Sequence, residues 1–436
     1  MSKEMKHALS GAEGLIPKLR FPEFEDDGEW ERKTLEHVAD SESSNLALNK
    51  IEHKENGYPV YGADSIVGYI DEYQQEEKYI SIVKDGSGVG RLNLCKPKSS
   101  ILGTLACIKS KDLEEFNLDW IYYQLNTVDF TSYKKGSGIP HIYFSDFKIE
   151  PIGVPNPSEQ HKIASCLSSL DELIAAHNEK LDALKDHKKG LLQNLFPNSL
   201  NHDSKGLKDE HDFGAGIKSR NQANQKNQGS DNVPKVRFPE FEDDGEWVED
   251  ILDNLAAFSK GKGISKSDIV ENGKIPCIRY GELYTQYNET IGDVISYTNL
   301  DPNDLVLSDA NDVIIPASGE TQIDIATASC VLKPGIALGG DLNIIKTEIN
   351  GVFLAYYLNS AKKKDISQVA QGISVVHLYS SQLKTLTVNI PSPQEQKKIA
   401  SCLSAVDELI TAQQEKIEQL QQHKKGLMQG LFPKII

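Results

Sequence analysis

The chain has 436 residues, enough for two to four domains, with 39% hydrophobic and 25% charged residues, the balance of a soluble globular protein. No apolar run is long enough to span a bilayer, the N-terminus has no signal-peptide core, and the six cysteines form no CxxC pair or metal-ligand cluster, so a reduced cytoplasm is the expected location. The formal net charge of −17 argues against a generic nucleic-acid binder; any affinity for DNA must come from a local basic face or from partners.

Taken in chain order, residues 1–16 are expected to form a flexible tail. PKLRFPEFEDDGEW then runs from Pro17 to Trp30, and it returns as PKVRFPEFEDDGEW from Pro234 to Trp247. In the block that follows, to residue 156, Tyr79–Val83 predicts a strand and the run 121–126 a helix. The stretch from Gly86 to Arg91 matches neither GxGxxG nor GxxxxGK[ST], so it predicts a turn between strands rather than a phosphate loop. The block ends in GSGIPHIYFSDFK.

Pro157 to Pro197 predicts one long helix. Proline opens it, Glu159 lies in the first turn where the helix dipole favours a carboxylate, cations His187-Lys188-Lys189 lie near the far end, and Pro197 stops it. Ile163, Leu167, Leu170, Ile174, Leu181, Leu184, Leu191 and Leu195 recur in alternating steps of three and four, a heptad seam interrupted by His177 and Lys188. The same stretch returns without a gap from Pro393 to Pro433, with seam residues Ile399, Leu403, Val406, Ile410, Ile417, Leu420, Leu427 and Leu431, interrupted at the matching Gln413 and Lys424. A narrow seam on a helix of ~50 Å wants one partner helix, and the matching copy is the obvious one. The competing reading is that each helix packs only on its own domain. His177 and Gln413 are expected to fix the register.

Residues 198–233 are polar and aperiodic, the pattern of a flexible linker. In the second block, to residue 392, Val313–Ile315 and the run 385–390 predict strands and the run 354–359 a helix, and the block ends in GISVVHLYSSQLK. The predicted fold class is therefore α+β with an internal duplication of pseudo-twofold character: two mostly-β domains (17–156 and 234–392) separated by two long antiparallel helices (157–197 and 393–436) forming a coiled coil.

No catalytic constellation stands out. HExxH, a Cys/His metal pattern and an Asn/Asp-Pro-Pro-aromatic tetrapeptide are all absent, and His141 and His377 lack a nearby nucleophile in sequence. No metal site and no catalytic residue is expected. Two diverged domains joined by repeated rods suggest a recognition device.

At this point the motifs resemble a known family. PKLRFPEF and PKVRFPEF, the EQxKIAxxLSxxDELI helices, the HKKGLLQNLFP and HKKGLMQGLFP ends and YPVYGADSIVGYIDEY are similar to those of specificity subunits of type I restriction–modification enzymes. The resemblance covers nearly the whole chain. It implies that each block is a target recognition domain reading one half of a split, asymmetric double-stranded DNA sequence, and that the helices pair antiparallel as a spacer. It also implies two methyltransferase subunits docked on the spacer and two restriction (translocase–nuclease) subunits. Adenine methylation from S-adenosylmethionine and cleavage driven by ATP and Mg2+ belong to those partners, so this chain needs no cofactor. The near-complete repeat of the edge motif makes each half look like a self-sufficient half-subunit. A two-domain scaffold binding protein or carbohydrate is the alternative, and the acidic balance suits it.

Base readout needs side chains that reach groove edges, and phosphates need cations and backbone N–H groups. The DNA-contact candidates of the first block are Lys84, Ser87, Arg91, Lys134, Lys135, Ser137 and His141, in Gly-rich turns where backbone can approach closely, with Tyr61 and Asp64 as weaker ones. Those of the second are Arg279, Glu320, Thr321, Gln322, Lys362, Lys363, Lys364, Gln371 and His377. Lys362–Lys364 read equally as a solvated run complementing a helix end, and His141 and His377 as residues that lock a turn.

Overall fold

The computed structural model describes residues 15–51, 56–136, 138–197, 232–372 and 375–434. Most of the expected tail and linker, and the candidate Ser137, lie outside the described residues. The chain forms two compact units. The first combines the chain up to Lys180 with the residues from Gln413 onward, and the second spans Leu181–Ala412.

In the first unit a four-stranded antiparallel sheet has the order Ala39–Ser43, Leu105–Ser110, Tyr79–Val83, Leu92–Cys95. Tyr79–Val83 is buried at every position, as its unbroken apolar run requires of a central strand. A second sheet joins Ile66–Ile70, Tyr58–Tyr61 and Ser100–Ile101, and Glu31–Thr34 pairs antiparallel with Pro151–Val154. The helix Leu118–Leu125 is capped by Asn117, whose side chain accepts the Trp120 N–H at 2.9 Å.

The second unit repeats this plan with additions. Its five-stranded sheet runs Ala256–Lys260, Leu342–Thr347, Val313–Pro316, Ser329–Val331, Thr290–Ile291, and Val248–Ile251 pairs with Thr387–Ile390. That last strand starts two residues later than the sequence pattern predicts, because Thr385 instead closes a turn with its hydroxyl on the Gln382 carbonyl. The helix Gly351–Asn359 is capped by Asn350 on the Phe353 N–H, the counterpart of Asn117.

The long helices run Pro157–Asn194 and Pro393–Leu431. Every predicted seam position is buried or half-buried while most of the intervening positions are exposed, as an amphipathic stripe demands. Within the first unit the helix stretch up to Lys180 packs antiparallel on the stretch from Gln413. Gln413 Nε2 donates to the His177 carbonyl at 2.7 Å and meets His177 Nδ1 at 2.7 Å, so the two polar interruptions partner each other. The second interruption is also paired: Lys424 Nζ lies 2.5 Å from Asp171 Oδ1, and the Tyr123 hydroxyl donates to Asp171 Oδ2 at 2.8 Å. In the second unit Lys188 Nζ lies 2.8 Å from Asp407, and the Tyr356 hydroxyl donates to the same carboxylate at 2.5 Å. The reading in which each helix packs only on its own domain is therefore corrected.

The helix ends complete the cores. Leu431 and Phe432 are buried in the first unit's core with Trp30, Ile163 and Leu167, and Leu195 and Phe196 in the second unit's core with Trp247, Phe353 and Leu403. The repeated edge motif is a clasp. Arg20 makes a bidentate pair with Glu159 at 2.8–2.9 Å, and Arg237 with Glu395 at 2.7–2.8 Å, each also donating to a glycine carbonyl. Leu15, expected in the loose tail, is instead held by the Trp30 N–H on its carbonyl, and Asn232, expected in the linker, by the Trp247 N–H in the same way.

Candidate nucleic-acid interface

In the first unit the turn between Tyr79–Val83 and Leu92–Cys95 is welded to a hairpin at residues 135–141. Lys135 and His141 exchange both backbone hydrogen bonds at 2.9 Å, Gly86 N–H donates to the Pro140 carbonyl and Ile142 N–H to the Lys84 carbonyl. Gly136 makes the hairpin possible: its φ is +90°, and a Cβ there would sit 2.6 Å from the Ile139 carbonyl oxygen. This weld brings Lys84, Ser87, Lys135 and His141 together, with Lys134 at the hairpin's base. Ser87, Lys134 and Lys135 are exposed, Lys84 and His141 half-buried. Lys135 pairs with Asp146 at 2.6 Å, which holds that carboxyl below its ordinary range. Arg91, at the other end of the turn, is paired with Asp64 and turned toward the 61–65 turn. Tyr61 lies at the start of that turn, its hydroxyl accepting the Lys96 N–H at 3.4 Å.

The second unit builds the same device from different residues. Gln371 and His377 exchange backbone bonds at 2.9 and 2.7 Å, Ser318–Gly319 pairs with Val376–His377, and Leu378 N–H donates to the Ala317 carbonyl. Gly372 has φ +129°, the counterpart of Gly136. Glu320, Thr321, Gln322, Gln371 and His377 thus lie on one loop cluster, with Glu320, Gln322 and Gln371 exposed. Thr321 is also the cap of the helix Gln322–Ile325, its hydroxyl accepting the Asp324 N–H at 3.1 Å.

Arg279 follows the strand Ile275–Ile278 and is held by Glu282 at 3.3 Å. The short helix Glu282–Thr285 that follows it meets the cluster, its Tyr284 hydroxyl donating to the Ser318 carbonyl at 2.7 Å. The lysine run divides. Lys364 is exposed and Lys363 half-buried, but Lys362 is 5% exposed, facing Asp365 at 3.3 Å, so burial removes its ammonium from any surface. The run sits where the helix Gly351–Asn359 has ended and Lys363–Val369 begins, so it complements the first dipole and opposes the second.

Sequence reasoning missed three features. The Arg–Glu clasps and the Tyr–Asp–Lys triads join residues far apart in the chain; their signal was present in the repeats, since every member recurs at the matching position. It also missed that Ile139 and Val375, beside the two histidines, are exposed. Among the described residues no group of three or more His, Cys, Asp or Glu could hold a metal ion, and no helix is long and apolar enough to cross a membrane.

Two related, sheet-rich units presenting unlike loops on a like frame, with helices that complete each other's cores, define a recognition subunit. The model of the type I restriction modification DNA specificity domain matches twice, at residues 27–186 and 245–422, and the chain belongs to that family. It is similar to the type I restriction enzyme MjaVIII specificity subunit of Methanocaldococcus jannaschii, at 27% identity over 82% of this chain and 78% of that one. The MjaIX specificity subunit of the same organism is 24% identical over 73% and 68%. The crystal structure of the type I restriction–modification S subunit from M. genitalium shares the fold, with a TM-score of 0.65 at 18% identity, covering 97% of this chain and 100% of that one. The chain is a DNA-recognition specificity subunit, and catalysis lies in partner subunits.

Proposed function

We propose that each unit reads one half of an asymmetric, split DNA target through its loop-and-hairpin cluster: Lys84–Arg91 with Lys134–His141 in the first, Ser318–Gln322 with Gln371–His377 in the second. The observation that carries this is the contrast between frame and loop. The hairpin weld, the Asn cap and the Arg–Glu clasp recur, while DGSGVG and SGETQI, at the same place, do not. Base-reading side chains must differ between half-sites; the frame need not.

The long helices set the number of unread base pairs and give two methyltransferase subunits two equivalent docking surfaces, with two translocase–nuclease subunits joining for restriction. S-adenosylmethionine, ATP and Mg2+ are used by those partners, and the complex works in the cytoplasm, where its DNA is. The net charge of −17 is met by local cations at the first cluster and by the partners' share of phosphate contacts. The test is reconstitution. The purified chain alone neither methylates nor cuts DNA, and adding its cognate methyltransferase subunit gives adenine methylation at one sequence. Methyl transfer by the stringently purified chain alone contradicts the assignment.

A further inference from the structure

Beside each diverged reading loop lies a surface that has not diverged. In an extended stretch, residues two apart share a face. In the first unit Ile139, His141 and Tyr143 share one: Ile139 is 71% and Tyr143 50% exposed, His141 is half-buried, and the intervening Ile142 is 1% exposed. In the second, Val375, His377 and Tyr379 share the matching one: Val375 is 53% and Tyr379 52% exposed, while Val376 and Leu378 are buried. The His and Tyr rings adjoin in both, with centroids 5.4 and 6.1 Å apart.

The buried members explain themselves, since they seat the hairpin on the core. The exposed ones do not. A single exposed aliphatic residue is ordinary. Tyr143 and Tyr379 each cap a short helix, Phe144–Phe147 and Ser380–Leu383, through their backbone N–H, and His377 Nδ1 lies 3.4 Å from the Ser318 hydroxyl. A backbone cap needs no aromatic ring, and neither contact calls for the exposed aliphatic residue beside it. Yet the stripe of aliphatic residue, histidine and tyrosine is presented twice on the same glycine-dependent hairpin. The stripe is joined through backbone hydrogen bonds to the loop that differs between the units, so both belong to one surface.

We propose that the two stripes are a sequence-neutral DNA contact, which leaves base choice to the neighbouring residues of the clusters, those at 84–91 and 318–322 among them, and to Arg279. This rests on the reading of the clusters as DNA-facing. The chemistry fits what every nucleotide has in common: deoxyribose C–H edges take the aliphatic tip, and the Tyr hydroxyl and His ring N–H donate to phosphate oxygens. A contact of that kind has to be alike in the two units, because the backbone is alike in both half-sites.

The experiment uses the assembled complex of this chain with its methyltransferase subunit. Affinity is measured for a duplex carrying the sequence that the unaltered complex methylates and for a duplex of scrambled sequence. The variants are Ile139→Ser, Val375→Ser, and the pair Ile139→Ser with Tyr143→Ser; such exposed positions leave the fold intact, which an unchanged melting temperature verifies. The expected result is that both affinities fall by the same factor, about tenfold for the paired variant given the worth of burying an aliphatic side chain, with the methylated sequence unchanged. A changed base preference overturns the proposal by making the stripe a reader. Unchanged DNA affinity overturns it too, and weakened assembly with the methyltransferase in that case identifies the stripe as a protein-docking surface. If the unaltered complex itself shows no preference between the two duplexes, the reading of the clusters fails instead.

Discussion

Arg20 and Glu159 are buried together, 139 residues apart in the chain, and Arg237 and Glu395 repeat the arrangement. Removing one partner of a buried, bidentate pair strands the other charge. Arg237→Ala therefore costs about 3–5 kcal/mol, read from urea unfolding, and Arg237→Lys restores only part because an ammonium cannot reproduce the fork; a loss below about 1 kcal/mol would make the clasp ornamental. Lys188 is a second case. Burial pulls its pKa down, but Glu289 and Asp407, at 2.9 and 2.8 Å, more than offset that and hold it above the ordinary value. A raised folded-state pKa stabilises the fold fully below the unfolded lysine value of about 10.4, and the benefit disappears as pH rises through the folded value. The destabilisation by Lys188→Met is thus level between about pH 7 and 9 and shrinks above about pH 10.5; a penalty growing with alkalinity contradicts this. Base readout also belongs to single residues: Arg279→Ala should lose about 1–3 kcal/mol of discrimination at one base pair, scored by methylation of single-substitution targets. The sequence placed Glu159 in the first helical turn and Lys188 in the seam, but their partners were signalled only by recurring at matching positions of the two repeats, which does not say who meets whom. Such pairs depend on tertiary approach, which local pattern does not encode.

The helices were the most legible elements, because a period of three and four over many turns has no other interpretation. Even the polar interruptions announced their role: His177 and Gln413 bond each other. The recognition blocks were less legible. Tyr79–Val83 and the helix read at 121–126 stood out, although that helix begins three residues earlier, at Leu118, and ends at Leu125, whereas strands as short as Ser318–Gly319 depend on a hairpin far along the chain. If the helices set the spacing of the target, lengthening both must change it. Four residues inserted after His177 and four after Gln413 add about one turn and ~6 Å to each. The variant, where it folds, should methylate the same two half-sites with one or two more base pairs between them. Unchanged spacing would place the ruler elsewhere.

At the scale of the whole molecule each core is closed by the end of a helix from the other half of the chain. Phe196 packs with Trp247 and Phe353 in the second unit, and Phe432 with Trp30 in the first. The Leu19 N–H donates to the Gly430 carbonyl and the Val236 N–H to the Asn194 carbonyl, so both edge motifs meet a helix end in the same way. A chain divided at residue 215 should therefore yield fragments that associate when coexpressed, while neither alone is a stable monomer; sedimentation analysis decides this, and a monomeric fragment with the melting temperature of the intact chain contradicts the interlock.

The division of reading between the two units is tested most directly by exchange. Residues 32–156 are replaced with the corresponding block of another family member, the chimera is assembled with the methyltransferase subunit, and the methylated sequence is determined across a genome. One half-site should change completely, with the other half-site and the spacing between them intact. A target altered in both halves, or in neither, would contradict the account.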